Sequence, residues 1–185
     1  CRIAVIIIAK GIEAHVIDAS ADMLVFFSRV YHSGKVAFDI PKTRSFMHLD
    51  TVFTMVDRDK FTVHPNILQE ITVFVMELVD GKVRIQEEQG RLEDILKKHL
   101  HLDNVTLIKC GSDSVIDASR EQWSDGSNTL AIAPGEVVVY GRNYVTNRIL
   151  EDHGITIHTI PCSELSRGRG GPRCMSMPFV RDDLQ

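Results

Sequence analysis

One tryptophan stands in the 185 residues and only 6% of the chain is aromatic, so no series of rings is present to stack along a nucleic-acid strand. Basic residues are not in excess. Lys and Arg total 21 against 25 Asp and Glu, a net charge of −4, which argues against a general polyanion binder and suits a small cationic ligand. Cysteine is sparse, and Cys1, Cys110, Cys162 and Cys174 show neither metal-ligand spacing nor the density of a disulfide framework. That usage reads as reduced thiols in a cytoplasm. Long hydrophobic runs are missing too: the longest, Ile3 to Ala9, is too short to span a bilayer, and no clear small-residue cleavage site follows it. Hydrophobic content of 44% with 25% charge is that of a globular chain, and the length suits a single domain, 1–185, with a real core.

Short β-branched runs alternate with amphipathic segments. Residues 1–9 read as a buried strand, 11–29 as a helix with Ile12, Val16, Met23 and Phe27 near helical spacing, and 35–40 as a strand that Pro41 ends. Strands are expected at 51–56 and 61–63 around the turn Asp57–Lys60. A hairpin, 71–79 with 82–86, is expected around Asp80-Gly81. Leu92, Ile95, Leu96 and Leu100 form one apolar stripe of a helix over 91–100, and 105–109 is a strand. The stretch 111–128 reads as a loop rich in glycine and serine, its Trp123 packing on the core and its Asp125-Gly126 making a turn. Strands at 129–133 and 136–140, a helix over 142–153 closed by Gly154 and a strand at 155–160 follow. Strand–strand–helix–strand thus recurs: a partial unit over 1–40, a unit over 51–109 carrying an extra hairpin, and a unit over 128–160. The spacing is irregular, an architectural repeat rather than a sequence repeat.

The chemistry concentrates in the loop that follows, 161–178. Between Ser166 and Pro178 stand three arginines, three glycines and Cys174. Glycines let the backbone approach a ligand, and a thiol beside a cation and open amides loses its proton easily, which makes Cys174 a candidate nucleophile with a lowered pKa. A lone Cys reads equally as a small buried hydrophobe, and a single RGG-like segment without aromatic residues is a poor case for RNA binding. A second cluster, His48 and Asp50, lies just before the strand at 51. In extended backbone the two point the same way, an imidazole that can exchange protons near neutrality beside a carboxylate that can grip a cation. A hydrogen-bonded surface pair is the plain alternative, and no third ligand is spaced to make a metal site. His64, His99, His101, His153 and His158 read as ordinary surface or strand-end residues.

Met47-His48-Leu49-Asp50-Thr51, Asp125-Gly126-Ser127-Asn128 and Gly171-Pro172-Arg173-Cys174-Met175-Ser176-Met177-Pro178, in that order and spacing, resemble the C-terminal part of bacterial arginine deiminases, with a nearly continuous likeness from about residue 35. The resemblance implies an α/β fold, part of a pentein-type propeller of ββαβ units, of which this chain supplies the C-terminal portion only. It implies hydrolysis of L-arginine to L-citrulline and ammonia through a covalent amidino-cysteine, with no metal and no organic cofactor. It casts Cys174 as nucleophile, His48 as general acid/base, Asp50 as guanidinium ligand and Arg169 as a residue that helps hold the substrate carboxylate or gates entry. The family's further Glu, in a Glu-Gly-Gly-Asp motif, and a second Asp have no counterpart in this chain. A truncated fragment acting as a binding or structural module therefore stands as the alternative, as do a dimethylarginine hydrolase and an amidinotransferase. The partner expected is arginine, with a homo-oligomer open and neither nucleic acid nor membrane.

Overall fold

In a computed structural model the described residues are 4–7, 35–40, 46, 49–80, 82–168 and 170–177. In chain order the elements are β1 (Ala4–Ile7), β2 (Lys35–Phe38), β3 (Phe53–Met55), β4 (Lys60–Val63), β5 (Glu70–Val79), β6 (Lys82–Arg91), α1 (Leu92–Leu100), β7 (Thr106–Lys109), α2 (Val115–Trp123), β8 (Leu130–Ala133), β9 (Glu136–Tyr140), α3 (Tyr144–Asp152) and β10 (Thr156–Ile160). Short 3-10 turns lie at Leu49–Thr51, Pro65–Ile67 and Leu165–Gly168. The helix expected over 11–29 lies outside the described residues. The chain divides into two compact units, residues 1–49 with 65–107 and residues 50–64 with 108–185.

The first unit is built on a four-stranded sheet in the order β1-β2-β5-β6, parallel between β1 and β2 and antiparallel elsewhere. The two-residue loop at Asp80 works as its sequence implies: Asp80 takes φ 50° and Val79 pairs with Lys82. Along β5 the period-2 pattern is visible, Ile71, Val73 and Val75 buried while Thr72 and Phe74 are half-buried. At the sheet edge β6 exposes Arg84, Gln86, Glu87 and Gln89 beside Ile85, a largely polar rim whose charges discourage strand addition. The stripe of α1 buries Leu92, Ile95 and Leu96, and His101 at φ 55° closes the helix with its N–H on the Lys97 carbonyl. Glu88 on β6 takes Lys98 at 2.8 Å and His99 at 3.0 Å, tying helix to strand. The hairpin read as an insertion in the unit over 51–109 therefore pairs with β2 instead of with β3, β4 and β7.

The second unit carries two three-stranded sheets, β3-β4-β7 and β10-β9-β8. The latter is a ββαβ unit: β8 and β9 are antiparallel, α3 crosses over, and β10 lies parallel to β9 with Ile160 opposite Tyr140. Val56, Ile108, Val137, Val139, Leu150 and Ile155 form its core. Each such side chain taken out of water contributes about 1.5–3 kcal/mol before chain entropy is counted. Phe53 and Phe61 stack across β3 and β4 at 5.2 Å.

Two readings of the sequence are corrected here. The loop expected over 111–128 contains α2, started by Ser114, whose side chain accepts from Asp117 N–H. Its amphipathicity is inverted. Val115 and Ile116 are 80% and 79% exposed while Glu121 and Gln122 are buried, so no apolar stripe announces it. Trp123, at 52% exposure, does not fill the core.

Candidate active site

Because β9 and β10 are parallel, their carboxyl ends lie together, the place where open α/β sheets carry their ligands. Tyr140 ends β9. After β10 the chain runs through the turn at Leu165–Gly168 into Gly170-Gly171-Pro172-Arg173-Cys174, and three side chains of the same unit hold this segment. Asp125 Oδ2 accepts from Gly170 N–H at 3.1 Å. Tyr140 Oη donates to the Gly170 carbonyl at 2.8 Å. Asn128 Oδ1 accepts from Cys174 N–H at 3.0 Å. Gly171 presses against Asn128 so closely that a Cβ there would come within 2.4 Å of its side-chain oxygen and 2.7 Å of its backbone oxygen.

The same Asn128 reaches the second cluster, its Nδ2 donating to the Asp50 carbonyl at 2.8 Å. One amide thus bridges the loop of Cys174 and the turn of Asp50, and the thiol meets the carboxylate: Cys174 Sγ lies 3.5 Å from Asp50 Oδ2. Thr54 Oγ1 also donates to the Asp50 carbonyl, at 3.2 Å. The backbone at Asp50 is a 3-10 turn, not the extended chain the sequence suggested. Asp50 Oδ1 is buried and has no hydrogen-bond partner among the described residues. A buried carboxylate oxygen in that state invites a cationic donor. His48 and Arg169 lie outside the described residues, so of the four residues singled out in the sequence the structure brings two together.

The charge environment of Cys174 reverses an expectation. The residue is exposed, yet neighbouring atoms crowd the sulfur, and its pKa is raised. Desolvation is the larger cause and the Asp50 carboxylate the next, only partly offset by hydrogen bonds from Gly171 and Asn128. Arg173, next in sequence, is exposed and is not the charge that acts on the thiol. The buried Cys110 is pushed up further, to about 11, chiefly by desolvation, which leaves it inert. Cys110, Cys162 and Cys174 are thiols, none in a disulfide. His64, read as an ordinary strand-end residue, is 4% exposed, and burial lowers its pKa.

Behind the site, the buried Glu121 caps α3 from another element. Its Oε1 accepts from Val145 N–H at 3.1 Å and its Oε2 from Thr146 N–H at 2.9 Å and Thr146 Oγ1 at 2.5 Å, with Arg120 at 2.9 Å on Oε1. Asn128, Asp125 and Tyr140 as holders of the loop, and Glu121 as a cap, were not assigned from the sequence. The Asp-Gly-Ser-Asn turn gave a signal only through its family resemblance, and Tyr140 gave none.

The architecture is a mixed α/β one with a ββαβ unit. The chain superposes on an amidinotransferase of the saxitoxin biosynthetic pathway from Microseira wollei with a TM-score of 0.51, at 14% identity, over 81% of this chain and 37% of that one, a likeness of fold. The arginine deiminase family model matches residues 25–181, and the chain belongs to that family. It is 55% identical to the arginine deiminase of Clostridium perfringens over 96% of this chain and 45% of the relative. The Streptococcus sanguinis arginine deiminase is 51% identical, over 96% of this chain and 44% of the relative. The chain spans less than half the length of the curated relatives it matches.

Proposed function

We propose that the protein carrying this chain hydrolyses L-arginine to L-citrulline and ammonia, with Cys174 as nucleophile and Asp50 as one grip on the guanidinium. The observation that carries this reading is the 3.5 Å approach of the Cys174 sulfur to an Asp50 carboxylate whose other oxygen is buried and unpartnered among the described residues, in a chain of the arginine deiminase family. A planar guanidinium pairs with a carboxylate through charge-assisted hydrogen bonds that fix its orientation. The same cation offsets the Asp50 charge that, after desolvation, opposes the thiolate, so binding of the substrate itself favours the thiolate.

The thiolate attacks the guanidinium carbon, forming the C–S bond. The tetrahedral adduct expels ammonia once a proton reaches the leaving nitrogen, a proton assigned to His48 by family resemblance. Water then adds to the thiouronium carbon, the C–S bond breaks, and citrulline and the thiol are released. The balance is arginine plus water giving citrulline plus ammonia. In this reading Arg169, by family resemblance, helps hold the substrate carboxylate or gates entry, and the setting is a cytoplasm that keeps Cys174 reduced. No step calls on a cofactor.

Citrulline release from arginine and from methylated arginine, measured on the whole protein with and without Cys174→Ala, tests the reading. Arginine is expected to be the better substrate, and Cys174→Ala is expected to lose turnover while melting as the unsubstituted protein does. Activity of Cys174→Ala within a few-fold of the original, or a preference for the methylated substrate, would rule the reading out.

A further inference from the structure

The position of Cys174 is not fixed by its own loop alone. Within that loop the hydrogen bonds are local: Met175 N–H to Gly171 O and Ser176 N–H to Arg173 O, each 3.2 Å, Ser176 Oγ to Arg173 O at 2.9 Å, and one from Gly171 to the Cys174 sulfur. What ties the loop to the sheet is a set of side chains from outside it, and Tyr140 touches it at both ends. Its hydroxyl donates to the Gly170 carbonyl at 2.8 Å and lies 3.8 Å from Met175 Sδ, one residue past the nucleophile.

The anchor is rigid. Tyr140 is 1% exposed at the end of β9, and its carbonyl accepts from Asn147 Nδ2 at 3.0 Å and from Asn143 N–H at 3.2 Å. Gly170 is held at its N–H as well, by Asp125 Oδ2. At φ 135° Gly170 occupies backbone space that other residues avoid, so its N–H and its C=O can each meet a clamp.

We propose that Tyr140 is a positioning residue for the nucleophile: its hydroxyl, acting with the Asp125 carboxylate, pins the Gly170 peptide and so sets the reach from the Cys174 sulfur to Asp50. The inference rests on the reading of Cys174 as the nucleophile. It is supported by the raised pKa of the phenol, caused first by desolvation and then by the charges of Asp125, Cys162 and Cys174, which keeps the hydroxyl protonated and therefore a donor. The Asp50 carboxylate opposes the thiolate, so a sulfur that leaves it when the loop is released from its clamp ionises more readily.

Tyr140→Phe removes one oxygen and keeps the buried ring. In the whole protein kcat for arginine is expected to fall on the order of 10- to 100-fold with KM within about threefold, since a misplaced nucleophile harms the chemical step and not the grip on substrate. Alkylation of Cys174 by iodoacetamide at pH 7.5, followed on its peptide by mass spectrometry, is expected to become faster by about threefold or more as the sulfur leaves Asp50 and its crowded seat. Cys110 must stay unmodified. An unchanged kcat, or an unchanged alkylation rate at Cys174, overturns the inference. So does alkylation of Cys110 in the variant, which would mean that the hydroxyl holds the fold rather than the loop. If Cys174→Ala itself retains turnover, the nucleophile reading fails, whatever Tyr140→Phe does.

Discussion

At the scale of single residues, the site is a conflict arranged to be relieved. A thiol 3.5 Å from a carboxylate is poor at ionising, and a carboxylate oxygen buried without a partner among the described residues is poor at resting. A cation placed on Asp50 resolves both. Asp50→Asn separates the two effects. Turnover of arginine is expected to fall by at least about 100-fold, because a charged grip on the guanidinium is lost. The pH midpoint for alkylation of Cys174 is expected to move down, because the charge opposing the thiolate is gone, although desolvation, the larger cause, keeps it above an ordinary thiol. A midpoint that stays put or moves up would mean that Asp50 does not act on the sulfur. Cys174 and Asp50 were both legible in the sequence, but their meeting across 124 positions was legible only through family resemblance. The direction of the thiol pKa was misread for a physical reason: the sulfur is desolvated, and the charge beside it is Asp50, distant along the chain and adjacent in space, while the sequence neighbour Arg173 is exposed.

At the scale of elements, the periodic segments declared themselves and the inverted one did not. The β5–β6 hairpin and α1 follow from alternation, an Asp-Gly turn and an apolar stripe. By contrast, α2 exposes Val115 and Ile116 and buries Glu121 and Gln122, because its inward face serves polar work: Gln122 Nε2 donates to the Thr51 carbonyl at 2.9 Å, and Glu121 caps α3. A stripe-based reading finds only helices that bury hydrocarbon. Close backbone packing confirms that the element is built in: Gly111, at φ 73°, passes so near α2 that a Cβ would lie 2.3 Å from Ala118 N. Removing the cap tests its weight. Glu121→Ala leaves the buried Thr146 amide and the half-buried Val145 amide without their acceptor and is expected to cost about 3–5 kcal/mol of unfolding free energy in urea. Glu121→Gln, with one acceptor oxygen kept, is expected to fall between. A loss below about 1 kcal/mol for Glu121→Ala would show that water or a rearranged Asn143 replaces the carboxylate.

At the scale of the whole molecule, one strand–strand–helix–strand unit, β8-β9-α3-β10, was visible in the sequence, and the partnering of the other strands was not. Periodicity marks β5 and β6 as strands but says nothing of whether their neighbours are β2 or β4, since register and order are settled by contacts far apart in sequence. The ionisable groups that set stability across pH are likewise scattered through both units, and they act in separate windows. Asp57, Glu88 and Glu93 are held below ordinary carboxylate values, first by hydrogen bonds from Lys60, Lys98 and Lys97 respectively. Their stabilisation is present above about pH 4 and is lost as the pH falls through their folded values, and because each is partly solvated it is modest. His64 acts higher. Burial disfavours its charged ring, so the unfolded chain binds the proton at a pH where the folded chain does not. Stability is then full above its ordinary value of 6.5 and declines as the pH drops below it, by at most about 1.4 kcal/mol per pH unit, until the folded value is reached. The urea midpoint is accordingly expected to fall between pH 7.5 and 5.5 in the unsubstituted chain, and His64→Gln, which cannot titrate, is expected to flatten that limb while leaving the separate loss below pH 4 in place. A limb of the same slope in the variant would assign the decline to other groups and leave His64 as a buried polar residue without a part in it.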